Sequence, residues 1–269
     1  MKHKQLLHPI LILLLVASVS GCASLYRFEV DVLEPATVSV SPKMDSIIIV
    51  NRTWLPRHDK EMHYIPAGNG KKKQHARFVV AKSATQNLKA VMENSPKYSY
   101  MKIIQDTTYS SRKPVNKKYL QSLRGAFGTA GAVILDSLSY SFFAELKRNK
   151  PSLSVDASTE VVYKALWTYY DLTSLQQIDK LHIKDTDKWS GEFYNKRAAL
   201  NALPQRGRVA LRTGEILGSK YGLRIAPHWV TAQRYFYAYH PKMLDAQKAA
   251  MNNNWEKAAE LWRPLTRIG

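Results

Sequence analysis

The sequence predicts an α/β (α+β) fold: a mixed sheet with flanking helices, followed by a C-terminal helical pair. Three observations carry that prediction. Ser46–Asn51 is a continuous β-branched run, the pattern of a central strand covered on both faces. Residues 46–107 then read strand, helix, strand, the order of a β-α-β unit. Finally, Val161–Tyr169 and Leu175–Ile183 alternate apolar and polar residues on either side of Asp171-Leu172-Thr173-Ser174, which predicts a long antiparallel hairpin. A helix over 159–170 is the rival reading of the first of those segments.

Each element follows from local chemistry. Phe28, Val30, Val32 and Leu33 alternate with Glu29 and Asp31 as a first strand, which Pro35 ends; Thr37–Ser41 alternates weakly. Residues 52–76, with Pro56, Pro66, Gly68 and Gly70, read as a long surface loop. Ala76–Glu93 has helical spacing at Phe78, Val79, Leu88, Val91 and Met92, and Asn94-Ser95-Pro96 stops it. Tyr100–Thr107 is the next strand and Tyr109–Asn116 a basic loop. Lys117–Phe127 is a short helix with Tyr119, Leu120 and Leu123 on one face. Gly131–Ser141 is a strand, and Phe142–Leu146 either extends it into a ribbon or turns helical. Arg206–Tyr221 is a helix with Gly222 as its C-cap. Trp229–Tyr239 is a final aromatic strand, and two short helices, Pro241–Asn252 and Trp255–Thr266, complete the chain.

The N-terminus carries a different kind of signal. Lys2 and Lys4 precede a short apolar core, Pro9–Val19, and Ser20 and Gly21 lead into Cys22, the sole cysteine. The apolar core is too short to span a bilayer, and small residues before a cysteine mark a lipoprotein signal cleaved to leave Cys22 acylated. The expected organisation is residues 1–21 as signal peptide, 22–238 as the α/β domain after a short tether, and 239–269 as the helical pair. Removing the signal leaves 269 − 21 = 248 residues, enough for one large domain or one with a small appendage. With its thiol acylated, the chain keeps none for a disulfide, a nucleophile or a metal. The formal charge of +19 becomes 19 − 2 = +17 once Lys2 and Lys4 leave. Such a surface attracts anionic lipid headgroups, acidic glycans or acidic proteins, while export argues against nucleic acid.

The C-terminal helices carry a partial tetratricopeptide pattern in Ala246, Ala249, Trp255, Ala258 and Trp262. Further stretches are Leu33-Glu34-Pro35-Ala36-Thr37-Val38, Ile47-Ile48-Ile49-Val50-Asn51-Arg52, Lys184-Asp185-Thr186-Asp187-Lys188-Trp189 and Ala226-Pro227-His228-Trp229. With the lipid signal, they resemble a family of outer-membrane lipoproteins from Bacteroidetes-type bacteria with a C-terminal tetratricopeptide-like segment, a family that brings no known activity. The resemblance implies an outer-membrane location. The absence of acidic residues in Ala23-Ser24-Leu25-Tyr26-Arg27 then implies the periplasmic face.

The residues offer little for catalysis. His58, Asp59, Glu61 and His63 are dense in ligand types, but the histidines stand five apart among basic neighbours, and no metal is expected. His228 reads as a core or turn residue. Gly125, Gly128 and Gly131 precede a strand instead of following one, the reverse of a dinucleotide loop. Asp136-Ser137 has no recognisable histidine partner. The expectation is therefore no cofactor and a non-catalytic scaffold or partner-binding module, held to the membrane by its lipid. Trp255 and Trp262 are the candidate partner contacts. Lys71, Lys72, Lys73 and Arg77, with Arg112 and Lys113, are candidate anion contacts in loops that could share one edge. The alternatives are a hydrolase acting on an envelope substrate, or a binder of anionic lipid or glycan through those basic loops.

Overall fold

The computed structural model describes residues 24–53, 62–67, 70–106, 113–149, 153–238 and 241–265; of these, the side chains at 24–26, 62–67, 70–73, 236–238 and 241 lie outside the description. Cys22, the His58–Glu61 cluster and Arg112 also lie outside it. The chain divides into two compact units, one of residues up to Leu33 together with those from Trp229 onward, the other of Glu34–His228. The division therefore falls ten residues before the expected start of the helical pair.

The larger unit is built on strands β2 (Ser46–Asn51), β5 (Tyr100–Gln105), β6 (Gly131–Arg148), β7 (Val155–Asp171) and β8 (Gln176–Phe193). They form one sheet in the order β5-β2-β6-β7-β8. The first three run parallel and β7 and β8 are antiparallel, so the sheet is mixed. Ile47, Ile48, Ile49 and Val50 of β2 are all fully buried, as the apolar run predicts. Ile47 and Ile49 face α1 (Ala76–Glu93) and α4 (Arg206–Ile225), whereas Ile48 and Val50 face α2 (Lys117–Phe127). Both ends of α2 are chemically determined. Asn116 accepts the Tyr119 backbone N–H at 2.9 Å, and Gly128, at φ 64°, supplies the left-handed stop.

The β6-β7-β8 ribbon is longer than its alternation suggested. Pairing of β7 with β8 begins at Val155–Phe193, and α3 (Lys196–Ala202), which the sequence reading passed over, packs Ala199 on Val155 and Ala157. Phe142–Leu146 continues β6, and 159–170 is strand, so the helical readings of both segments fall. The buried alternation Val161, Tyr163, Ala165, Trp167, Tyr169 decides the second. Trp167 stacks on Tyr221 of α4 with ring centroids 5.3 Å apart, a contact worth about 0.5–1.5 kcal/mol beyond its burial.

Three further expectations are corrected. Residues 52–76 are not one loop, because β3 (Met62–Ala67) and β4 (Gly70–His75) pair there as an antiparallel hairpin. Thr37–Ser41 is not a strand; Val38 and Val40 pack on the core, and the Val38 N–H donates to the Arg224 carbonyl at 3.1 Å. Gly222 is no C-cap either. α4 runs on to Ile225 and Gly222 sits inside it, where a Cβ would meet Val91 of α1.

The smaller unit joins β1 (Ser24–Glu34) to β9 (His228–Ala238) as a two-stranded sheet. α5 (Pro241–Met251) and α6 (Trp255–Trp262) follow as the expected helical pair. Ala249, Ala250 and Ala258 form its small core, with Trp262 packed against them.

Candidate functional site

The smaller unit builds a groove from two short pieces of structure. Thr231 donates to Asp31 at 2.8 Å, and His228 lies 3.5 Å from Glu34. Partner numbers fall along β1 as they rise along β9, so the strands run antiparallel. Side chains alternate across a strand, which puts Glu29 and Asp31 on the same ribbon face as Trp229 and Thr231. The opposite wall comes from the α5–α6 turn. Asn253 takes a left-handed conformation at φ 56°, which Asn tolerates better than most residues, and Asn254 caps α6 by accepting the Lys257 N–H at 3.2 Å. That turn presents Met251, Asn253 and Trp255. Together these residues line a groove of about 730 Å³.

The lining mixes two chemistries. Trp229 is 57% exposed and Trp255 45%, two large aromatic surfaces left to solvent in one small unit. Glu29 and Asp31 supply carboxylates; Arg27 donates to Glu29 at 3.2 Å, and Asp31 accepts from Thr231. Aromatic faces beside carboxylates suit a segment with an apolar body and a cationic tip.

The sequence-derived candidates separate in space. Trp255 lines the groove, whereas Trp262 turns onto the alanine core of the helical pair, so the two tryptophans do not form one contact surface. Trp229, Met251, Glu29 and Asp31 were not singled out from the sequence. The one signal for Trp229 and Thr231 was their shared parity on an alternating strand.

The basic stretches also part. Lys71, Lys72 and Lys73 lie on β4 opposite Pro66, Ile65 and Tyr64, and β4 leads directly into α1. Lys113 precedes α2, which covers the other face of the sheet. Both segments lie in connections that leave the carboxyl end of a parallel strand, Lys71–Lys73 after β2 and Lys113 after β5, and the helices that follow them cover opposite faces of the sheet. Arg77, half-buried, belongs to the first turn of α1.

That end of the sheet holds a second polar cluster. A bulge between Leu135 and Ser137 sets Asp136 apart from the regular register of β6, and Asp136 pairs with Arg52, which is fully buried. Arg52 also donates to the Lys113 carbonyl at 2.8 Å and lies 5.0 Å from the centre of the Tyr119 ring. Tyr119 in turn donates to Asp106 at 2.7 Å. Burial pushes the Asp136 carboxyl up, opposed by Arg52 and Lys180. These contacts tie the strand ends to α2, as a structural network does. Among the described residues, no group of three or more His, Cys, Asp or Glu gathers where it could hold a metal.

The family described as a domain of unknown function, DUF8603, matches residues 44–237. No curated protein matches the chain. Among solved structures, the chain is similar to a Helicobacter pylori homolog of a neuraminyllactose-binding hemagglutinin, with 9% identity, 66% of this chain and 84% of that chain covered, and a TM-score of 0.37. It is also similar to a PelC dodecamer from Paraburkholderia phytofirmans (10% identity, 74% and 99% covered, TM-score 0.28). A third similar structure is a protein from Xanthomonas campestris (12% identity, 68% and 90% covered, TM-score 0.25).

Proposed function

We propose that this chain, which belongs to the DUF8603 domain family, is a non-catalytic envelope lipoprotein that binds a protein partner in the groove of its smaller unit. The lipid on Cys22 holds it at the periplasmic face of the outer membrane. The observation that carries the binding half is the joint exposure of Trp229 and Trp255 on one groove. Burying exposed tryptophans on a partner is a strong source of binding energy, and aromatic anchors in a groove dominate interfaces. Glu29 and Asp31 favour a partner segment bearing Lys or Arg.

The anchoring half rests on sequence chemistry: Cys22 stands two residues ahead of Ser24, where β1 begins. No helix among the described residues is long and apolar enough to cross a membrane. Two measurements test the reading. A clickable palmitate analogue fed to cells should label the protein and should fail to label Cys22→Ser; equal labelling of both ends the lipid claim. A photo-crosslinking amino acid at Asn253 should then capture a discrete partner, and Trp229→Ala with Trp255→Ala should lose that adduct while melting normally. Each substitution is expected to weaken binding by about 2 kcal/mol. Unchanged capture by the folded double variant would refute the groove as the contact surface.

A further inference from the structure

We infer that the uncovered face of the β6-β7-β8 ribbon binds a linear acidic polysaccharide laid along β8. Alternation sorts the charges of β8 by face. Asp179, Asp185 and Asp187 point toward the helices: Asp179 pairs with Arg224 and Asp185 with Lys220, both of α4, and Asp187 lies beside Tyr163. Lys180, Lys184 and Lys188 point the other way, and all three are exposed. Successive lysines of this row stand about 13 Å apart along the strand, with His182 and Thr186 between them. Lys184-Asp185-Thr186-Asp187-Lys188 is electrically mixed as a sequence; in the sheet, one face takes its acids and the other its bases.

The lysine face is left open by the helices. α1 and α4 pack on the side that carries Val161, Tyr163, Ala165, Trp167 and Ile183, and α2 covers the other side only around Ala132, Ile134, Tyr170 and Leu172. Past that point Ser137 and Ser139 of β6 and Lys164 of β7 are exposed beside the β8 row. Lysines on an edge strand discourage pairing with other sheets, but β7 is an interior strand, so Lys164 has no such role. Lys164 stands directly opposite Lys184 on the same face, and neither pairs with a carboxylate among the described residues. Like charges so placed repel, and an anion bridging the two ammonium groups removes that repulsion.

The layout of the charge selects the occupant. Toward the far end of the ribbon Glu145, Asp156, Glu160 and Glu192 share the open face. A flat anionic bilayer laid over the ribbon would meet all four carboxylates. A linear chain that follows β8 from Lys180 to Lys188 meets only Glu160, and there Lys188 stands opposite it. Along β7 and β8 in that stretch the face carries no Phe, Tyr or Trp, the rings on which bases of a single-stranded nucleic acid stack. Ser139, opposite Lys164 on its β6 side, and Thr186 offer hydroxyls beside the ammonium groups, which suits a polymer whose carboxylates are separated by hydroxyls.

Fluorescence anisotropy with labelled polygalacturonate, on the mature chain carrying Cys22→Ser, tests it. The polymer should bind at low ionic strength and be released by added salt, and neutral dextran should not compete. Lys164→Thr with Lys184→Thr should weaken binding at least about tenfold, whereas the charge-matched pair Lys82→Gln with Lys118→Gln, on α1 and α2, should leave it within about twofold. The first double variant should also melt at or above the wild-type temperature, because it removes a repulsion. No binding at low ionic strength, or equal weakening by the two double variants, would overturn the site. Single-stranded DNA or phosphatidylglycerol vesicles that bind more tightly than polygalacturonate, and lose that binding in Lys164→Thr with Lys184→Thr, would overturn the choice of a polysaccharide.

Discussion

The ion pair between β8 and α4 shows what single residues contribute. Arg224, in the last turn of α4, donates to both carboxylate oxygens of Asp179, at 3.0 and 2.8 Å. The Arg224 hydrogen bonds hold the Asp179 carboxyl below its usual range against the opposing effect of burial. A carboxyl depressed in the folded state adds stability that is fully present above its unfolded value, near pH 4, and is lost as pH falls through the folded value. Urea titrations of wild type and Asp179→Asn should therefore differ most at neutral pH and converge as pH drops below about 4. A constant difference across that range would mean that the pair contributes by packing alone. The Arg52–Asp136 pair differs in kind: Arg52 is wholly buried and burial lifts its partner's carboxyl, so desolvation there offsets part of the attraction. Neither partnership was legible in the sequence, where Asp179 and Arg224 stand 45 positions apart.

Packing of α1 on α4 governs the larger unit at the scale of elements. Gly214, Gly218 and Gly222 recur every four residues and align along one side of α4. A Cβ on Gly214 would stand 2.5 Å from the Val80 carbonyl oxygen, and one on Gly218 would stand 2.7 Å from the Leu88 nitrogen. The helices touch backbone to backbone, and Ser83 and Ser219 use that approach to donate to the Leu211 carbonyl and Asn87 at 2.8 and 2.7 Å. Gly218→Ala should lower stability by about 1–3 kcal/mol or more, because backbone cannot move aside as a side-chain tip can. Gly222→Ala, which meets the Val91 side chain, should cost less. Thermal melts of the two variants check the order, and equal losses would contradict it. Helical periodicity identified α4 correctly, but Gly222 alone looked like a stop signal. The glycine spacing carried the better information, and only the partner helix reveals its use.

At the scale of the molecule, the two units differ sharply in core. The larger has apolar layers on both faces of its sheet, with Ile47–Val50, Val133–Leu135, Trp167 and Leu217 fully buried. The smaller relies on Ala249, Ala250, Ala258 and Trp262. A core of that size supplies little stability, so local opening should begin there. A fragment of residues 34–228, contiguous in the chain, is expected to melt cooperatively with near-native near-UV dichroism. Deleting residues 24–33 from the full chain should unfold β9 and raise amide exchange in α5 and α6 while leaving the larger unit protected. Loss of cooperativity in the fragment would show that the two units depend on each other. The charge of +19 does not bear on this division, since most of it is solvated surface.

Local chemistry decided much of the architecture in advance. The β-branched run of β2, the alternation of β7, and the Asn and Gly signals bounding α2 each express a backbone or burial preference that neighbouring residues satisfy by themselves. The β3-β4 hairpin escaped because Pro66, Gly68 and Lys71-Lys72-Lys73 give no apolar alternation. The groove needed tertiary structure altogether. Glu29 and Trp229 are brought together by pairing between strands some 200 positions apart, and no contact between near neighbours in the chain offsets the cost of closing that loop. Periodicity reports which side of an element is apolar; what comes to lie against that side is settled by the competition among all long-range contacts at once.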